Sequence, residues 1–261
     1  MKKKMIALVL ALLLALMMTA CGGKDNSDVA YVKDKDVLVV GITDFAPMDY
    51  RESEDGEWIG FDADMAKEFA KYLGVDVEFV QINWNYKATE LETKAIDVVW
   101  NGMTITDEVK GLMGVSEPYC LNRQVVVMNA AAVANYQTAE SISGLSFAVE
   151  NGSAGAGALD ALGISYTAVL DQATALMEVA SGSVDACVID LLMAGAMIGE
   201  GTSYPDLATA VALTEEEYGV GFRKESDLIA AFNKFWKEAY DAGTVMDCAE
   251  TYGIAQNIIE K

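Results

Sequence analysis

The stretch DVVWNGMTITDEV, Asp97 to Val109, decides how this chain reads. Val98–Trp100 is short, apolar and β-branched, and reads as a buried strand. Asn101-Gly102 is expected to break it. Thr104 and Thr106 then offer hydroxyls, and Thr106-Asp107-Glu108 starts a helix with a cap and acidic first-turn residues. A strand end, a polar loop and a helix N-terminus expose backbone N–H groups that lack partners. In an open α/β sheet a small polar ligand sits at such a junction. An ordinary capped turn between strand and helix has the same pattern.

Working outward, Val37–Ile42 is a continuous apolar strand broken by Thr43-Asp44-Phe45-Ala46-Pro47. The spacing of Met65, Phe69 and Tyr72/Leu73 predicts a helix over Asp62–Leu73, stopped by Gly74. Val75–Val80 is a second strand, 87–94 a helix and Ile96–Trp100 a third strand. Alternation of strand and helix indicates a parallel or mixed sheet covered by helices. The construction recurs later. Tyr166–Leu170 reads as a strand, Ala173–Ser181 as a helix and Cys187–Ile189 as a strand. Strand end and aspartate lie 17 residues apart in the first unit (80 to 97) and 15 in the second (170 to 185). Two such units predict two lobes. Gln124–Met128 and Tyr218–Phe222 are the runs at which the chain passes between them, which makes a hinge with a cleft. A helix over Asp227–Asp241 and another from about Val245 to Tyr252 close the chain.

Composition narrows the chemistry. The formal net charge is −22, and removal of residues 1–20, with three lysines and no acids, takes it near −25. Such a chain has no basic patch for nucleic acid. It contains no histidine, which excludes a Ser-His-Asp triad and a His-ligated zinc site. Lys2-Lys3-Lys4 followed by the apolar run Met5–Met18 reads as a targeting segment too short to span a bilayer comfortably. Met18-Thr19-Ala20-Cys21-Gly22 resembles a bacterial lipoprotein box, with Cys21 the lipidated residue and 21–35 a tether. A plain secretory signal is the alternative. Acyl burial contributes about 0.8 kcal/mol per CH₂, enough for several chains on one cysteine to hold a membrane. Three cysteines remain. Cys187 reads as a small core residue, and a Cys120–Cys248 bridge is one open pairing.

The residues that carry a family resemblance are Gly60-Phe61-Asp62-Ala63-Asp64-Met65-Ala66, Asp97–Glu108, Ser116-Glu117-Pro118-Tyr119, Val184–Asp190 and Tyr218–Lys224. Together they resemble the family-3 extracellular solute-binding proteins, receptors of polar amino-acid ABC importers. The resemblance runs from about Val37 to Gly253. It implies a two-lobe periplasmic-binding-protein-like α/β fold of type II, with mixed sheets flanked by helices. Lobe 1 is expected over 36–125 plus 220–261 and lobe 2 over 126–219. It also implies a monomer without cofactor or resident metal, lipid-anchored outside the cytoplasm of a Gram-positive bacterium, with membrane permease subunits as partners.

Carried over by position, Phe45 and Trp84 match aromatics that cover the two faces of a ligand. Asn101, Gly102 and Thr104, with Met103 between, match the loop that contacts its ammonium and carboxylate. Asp190 matches the acid that pairs with the ammonium. Asn151-Gly152-Ser153-Ala154 matches the anion-binding turn of the second lobe, after the strand Phe147–Glu150. Its glycines, Gly152, Gly155 and Gly157, are spaced GxxGxG and do not form a dinucleotide fingerprint.

One departure stands out. The arginine that usually clamps the α-carboxylate three residues after the T-x-T motif is Val109 here. Either Arg123 replaces it, or the ligand lacks that carboxylate. An amine would suit Asp44, Glu150 and Asp190 between the two aromatics. The expected function is therefore capture of a small polar ligand, an amino acid or amine, for an importer. A sensory ectodomain, disfavoured because no membrane helix follows Lys261, and a dehydratase-type enzyme with Glu150 as its acid or base are the alternatives.

Overall fold

A computed structural model describes residues 27–261. The targeting segment and Cys21 lie outside the described residues. Order begins before the expected tether ends: α1 (Asp28–Asp34) is a helix capped by the Ser27 hydroxyl, which accepts the Ala30 N–H at 3.0 Å. Val32 is buried, and Asp28 takes Nε of Arg223 at 3.0 Å. The polar composition that suggested a tether is the outer face of a docked helix.

The first lobe continues with β1 (Val37–Ile42), α2 (Phe61–Leu73), β2 (Asp76–Gln81), α3 (Lys87–Glu92) and β3 (Val98–Thr104). α4 (Asp107–Leu112), β4 (Gly114–Val115) and β5 (Cys120–Asn122) follow. The second lobe holds β6 (Gln124–Asn129), β7 (Phe147–Glu150), α5 (Ala154–Leu162), β8 (Thr167–Val169), α6 (Gln172–Ala180) and β9 (Ala186–Asp190). It ends with α7 (Leu191–Met197) and β10 (Leu207–Ala212), after which β11 (Glu216–Phe222), α8 (Leu228–Asp241) and α9 (Thr244–Thr251) return to the first lobe.

One sheet has the order β2-β1-β3-β11-β4, with β5 also on β11, and the other has the order β10-β6-β9-β7-β8. In the first, β1 is parallel to β2 and β3, and β11 runs antiparallel to β3. In the second, β7 is parallel to β8 and β9, and β6 runs antiparallel to β9. The two lobes thus repeat one construction, three parallel strands finished by an antiparallel strand. Sheet membership places the crossings earlier than the sequence suggested, at Asn122–Gln124 and between Ala212 and Glu216. The β-branched pattern runs on through each crossing and does not mark it. The crossings are tied together: Gln124 N–H donates to Thr214 Oγ1 at 2.9 Å, and Leu213 N–H to the Gln124 carbonyl at 2.8 Å.

Asn101-Gly102 does not end β3. The strand continues to Thr104, with Tyr218 opposite Thr104 and Gly219 opposite Met103. Gly102 takes φ 55°, the left-handed region open to glycine, and its N–H donates to buried Asp62 at 2.7 Å. Asn101 bonds Thr43 through both the backbone N–H and the hydroxyl. Side chains hold the irregularity, and the β3–β11 ladder resumes beyond it with a shifted register.

The first lobe's core is an aromatic cluster under β3. Trp100 meets Phe232 edge-on at 4.9 Å, and Trp236 lies 5.0 Å from Tyr119. Such pairs contribute about 0.5–1.5 kcal/mol each beyond their burial. Asp97, the first residue of the deciding stretch, is fully buried and serves this frame. It accepts from the Val39 N–H and pairs with Lys35 at 2.5 Å and Arg223 at 3.3 Å. The three cysteines among the described residues are free thiols, so the Cys120–Cys248 pairing does not occur. Cys120 is buried in β5 beside Tyr119, while Cys248 lies on α9 facing the Phe61 carbonyl.

Candidate functional site

The carboxyl ends of β3, β7 and β9 converge between the lobes on a cavity of about 390 Å³. Its walls bring together eleven of the residues singled out from sequence. Trp84, Asn101, Gly102, Met103, Thr104 and Val109 come from the first lobe. Glu150, Gly152, Ser153, Ala154 and Asp190 come from the second.

Three others lie elsewhere. Phe45 is 1% exposed. Its turn closes on itself through Phe45 N–H to the Asp49 carbonyl at 2.7 Å, which folds the ring inward against Gly102 and edge-on to Tyr218. Phe45 is therefore packed beneath the loop and is not among the residues that line the cavity. Asn151 turns outward, because its N–H extends the β7–β8 ladder by bonding the Val169 carbonyl at 3.0 Å. Asp44 stands outside the cavity walls, its carboxyl raised by burial and by the charge of Asp171. Arg123 does not reach the cavity either. Its guanidinium is half-exposed and pairs with Glu215 at 2.7 Å.

The cavity is rich in carboxylates. Glu108, Glu150, Asp190 and Glu216 line it, against one cationic lining residue, Lys87. Asp190 ends β9 and is 4% exposed. It accepts from Asn122, from Gln124 at 2.9 Å, from Gln172 and from Tyr218 at 2.5 Å. The same Asn122 and Gln124 amides donate to Glu216 at 2.7 and 2.8 Å. Two carboxylates thus share two amides at the hinge. Burial, with the charge of Glu216 beside it, lifts Asp190 to about 8. Asp190 is occupied by its own chain.

Glu150 is different. It ends β7, is 2% exposed, and its Oε1 has no hydrogen-bond partner. Burial and then the charges of Asp190 and Asp171 push its carboxyl well above the usual range, opposed by Lys87. An unpaired buried oxygen costs about 1–3 kcal/mol, which a ligand donor would relieve. Glu150 belongs to the site through its position at the strand end. Lys87 is 8% exposed, and burial lowers its ammonium's pKa against the pull of Glu150 and Glu108. Sequence reading passed over Lys87, Gln124, Gln172 and Glu216, which sit in helix and crossing segments with no local motif; only the fold brings them together.

The lobes touch across the cavity mouth. Gly152 has φ 72°, and a Cβ there would lie 2.7 Å from Asn85 Oδ1 and 3.1 Å from Asn85 Cα. No cluster of metal-ligating side chains occurs among the described residues, and no described helix is long and apolar enough to cross a membrane.

Two similar α/β lobes, two crossings and a cleft at the strand ends define a two-lobed binding-protein fold. Residues 38–255 match the family of bacterial extracellular solute-binding proteins, family 3, and the chain belongs to it. It is 28% identical over 247 residues to the L-cystine-binding protein TcyJ of Escherichia coli K12, covering 94% of this chain and 92% of that one. It is 27% identical over 247 residues to the arginine-binding extracellular protein ArtP of Bacillus subtilis, covering 92% and 94%. Among solved structures, the arginine-bound form of truncated ArgBP from T. maritima superposes with a TM-score of 0.74 at 33% identity, covering 80% of this chain and 99% of that one.

Proposed function

We propose that this protein captures a small organic cation, a basic amino acid or related amine, between its lobes and delivers it to the permease of an ABC importer. The observation that carries the reading is Glu150, a buried carboxylate with an unpartnered oxygen in a cavity where acids outnumber bases four to one. A cation there gains a counter-ion in a low-dielectric site. Binding to TcyJ's and ArtP's named ligands belongs to those proteins; a basic side chain is what this cavity's charge favours. Anchoring at Cys21 in a Gram-positive membrane completes the proposal and fits the export signal. Capture without turnover is part of it, since burial and neighbouring charge account for the raised carboxyls. Phe45, Asp44 and Asn151 act on the ligand through the frame.

The test is a thermal-shift panel on purified protein stripped of ligand, with Trp84 fluorescence as a second readout. Arginine, lysine or histidine should raise the unfolding midpoint and glutamate should not. By mass action, ligand at 100 times Kd adds about 2.7 kcal/mol. A shift with acidic amino acids and none with basic ones overturns the reading.

A further inference from the structure

Lys87 enters the cavity at the start of α3, directly after the turn that carries Trp84. Its ammonium is held in place. It donates to the Trp84 carbonyl at 3.2 Å and, across the cleft, to the Gly152 carbonyl at 3.1 Å, and it stands 4.7 Å from the centre of the Trp84 ring. An ammonium has three donors, so one N–H is left for a ligand. The Gly152 carbonyl belongs to the turn that opens α5. There the Ser153 hydroxyl takes the Ala156 N–H at 3.2 Å, while the N–H groups of Ala154 and Gly155 have no acceptor within the helix. Ser153 and Ala154 line the same cavity as Lys87. An ammonium beside a helix start favours an anion.

The neighbouring wall makes the opposite demand. Glu150, two residues before Gly152, has its unpartnered Oε1 buried at the cavity wall. The cavity therefore asks for a ligand that carries both charges. No other side chain on its wall supplies the positive end: Val109 presents an apolar surface, and Arg123 is engaged with Glu215 outside.

We propose that Lys87 determines specificity by receiving the ligand's carboxylate, while Glu150 pairs with its cationic group. The cleft then selects a basic amino acid over the amine that remains when the carboxylate is lost. This rests on the reading of the cavity as the solute site. With two of its N–H groups engaged, the Lys87 ammonium cannot make the two parallel hydrogen bonds of a guanidinium, so its single contact gives a preference that one substitution removes.

The experiment is calorimetry on ligand-stripped protein with two matched pairs, arginine against agmatine and lysine against cadaverine. The wild type should prefer at least one amino acid to its amine by about tenfold or more, the scale of one charge-assisted contact. Lys87→Met should weaken that amino acid by a similar factor more than it weakens the amine, and so erase the preference. Lys87→Arg should keep it. If Lys87→Met does not fold, as its circular dichroism would show, the wild-type preference and its retention in Lys87→Arg decide the matter. An amine bound as tightly as its amino acid, or a preference that survives in Lys87→Met, overturns the proposal and leaves the solute site standing. Failure of all four compounds to bind overturns both.

Discussion

Lys87 of the first lobe and Gly152 of the second are joined by a hydrogen bond of 3.1 Å, ammonium to carbonyl, across the mouth of the cleft. The contact ties lobe closure to the cavity wall, because Lys87 also faces Glu150 and Trp84.

Gly152 is the first residue at which closure can be tested. Its φ of 72° and the Asn85 backbone 3.1 Å from a would-be Cβ leave no room for a methyl group. Gly152→Ala should hold the lobes apart and weaken ligand binding by about tenfold or more, since about 1.4 kcal/mol of strain suffices. Titration calorimetry reads the affinity, and small-angle scattering reads the loss of ligand-induced compaction. An unchanged affinity would show that the lobes do not close through this contact.

Stability should depend on pH in a set direction. Asp190 is raised to about 8 and Asp62 to about 7, in both cases chiefly by burial, and Asp49 is raised by burial and by Asp62. Between the ordinary carboxylate range and these values the folded chain holds more protons than the unfolded chain, so stability falls as pH rises. Asp28, lowered by Arg223 against its burial, acts the other way and loses its contribution only in acid. The unfolding midpoint should therefore be higher near pH 5 than near pH 8 in scanning calorimetry. Asp49→Asn should flatten part of the slope, because neither Asp49 oxygen is hydrogen-bonded. A midpoint that rises from pH 5 to pH 8 contradicts this account.

Arg223, just after the last strand, holds the N-terminal helix, α3 and the entry to β3 together. It bonds Asp28, Asp97 and the carbonyls of Leu91 and Ile96. Arg223→Ala leaves fully buried Asp97 with Lys35 alone and should cost about 3 kcal/mol or more. Urea unfolding followed by circular dichroism measures it. Removal of residues before Asp36 should also destabilise the fold, since Asp28 and Val32 are lost with α1.

Most of the framework was legible in the sequence, because hydrophobic period and glycine stops mark it locally. β1, α2 and the second repeated unit fall within a residue or two of where Val37–Ile42, Asp62–Leu73 and Tyr166–Ile189 put them, and the first unit departs at β3, which ends at Thr104 and not at Trp100. Legibility failed where a tertiary contact overrode a local signal. Asn101-Gly102 reads as a strand breaker, yet Asp62 and Thr43, far away in sequence, hold it so that β3 continues past an irregularity in its ladder. Phe45 reads as a strand-end aromatic, and its own turn carries the ring into the core. Cavity-lining residues were legible where they lie on strand ends, as at Glu150 and Asp190. Lys87, Gln124 and Glu216 are placed by lobe packing and crossings, which carry no sequence period.

The most direct measurement is calorimetric titration of L-arginine into ligand-stripped wild type and Glu150→Gln. The account predicts binding by the wild type and a loss of about tenfold or more in the variant, as a buried ion pair becomes a neutral contact. Binding should also be linked to proton release over the range in which the Glu150 carboxyl, raised by burial, titrates, because a cation beside it favours the ionised form. Equal affinity in the two proteins, or no binding of L-arginine, L-lysine or L-histidine by the wild type, would contradict the claim that Glu150 awaits a cation between the lobes.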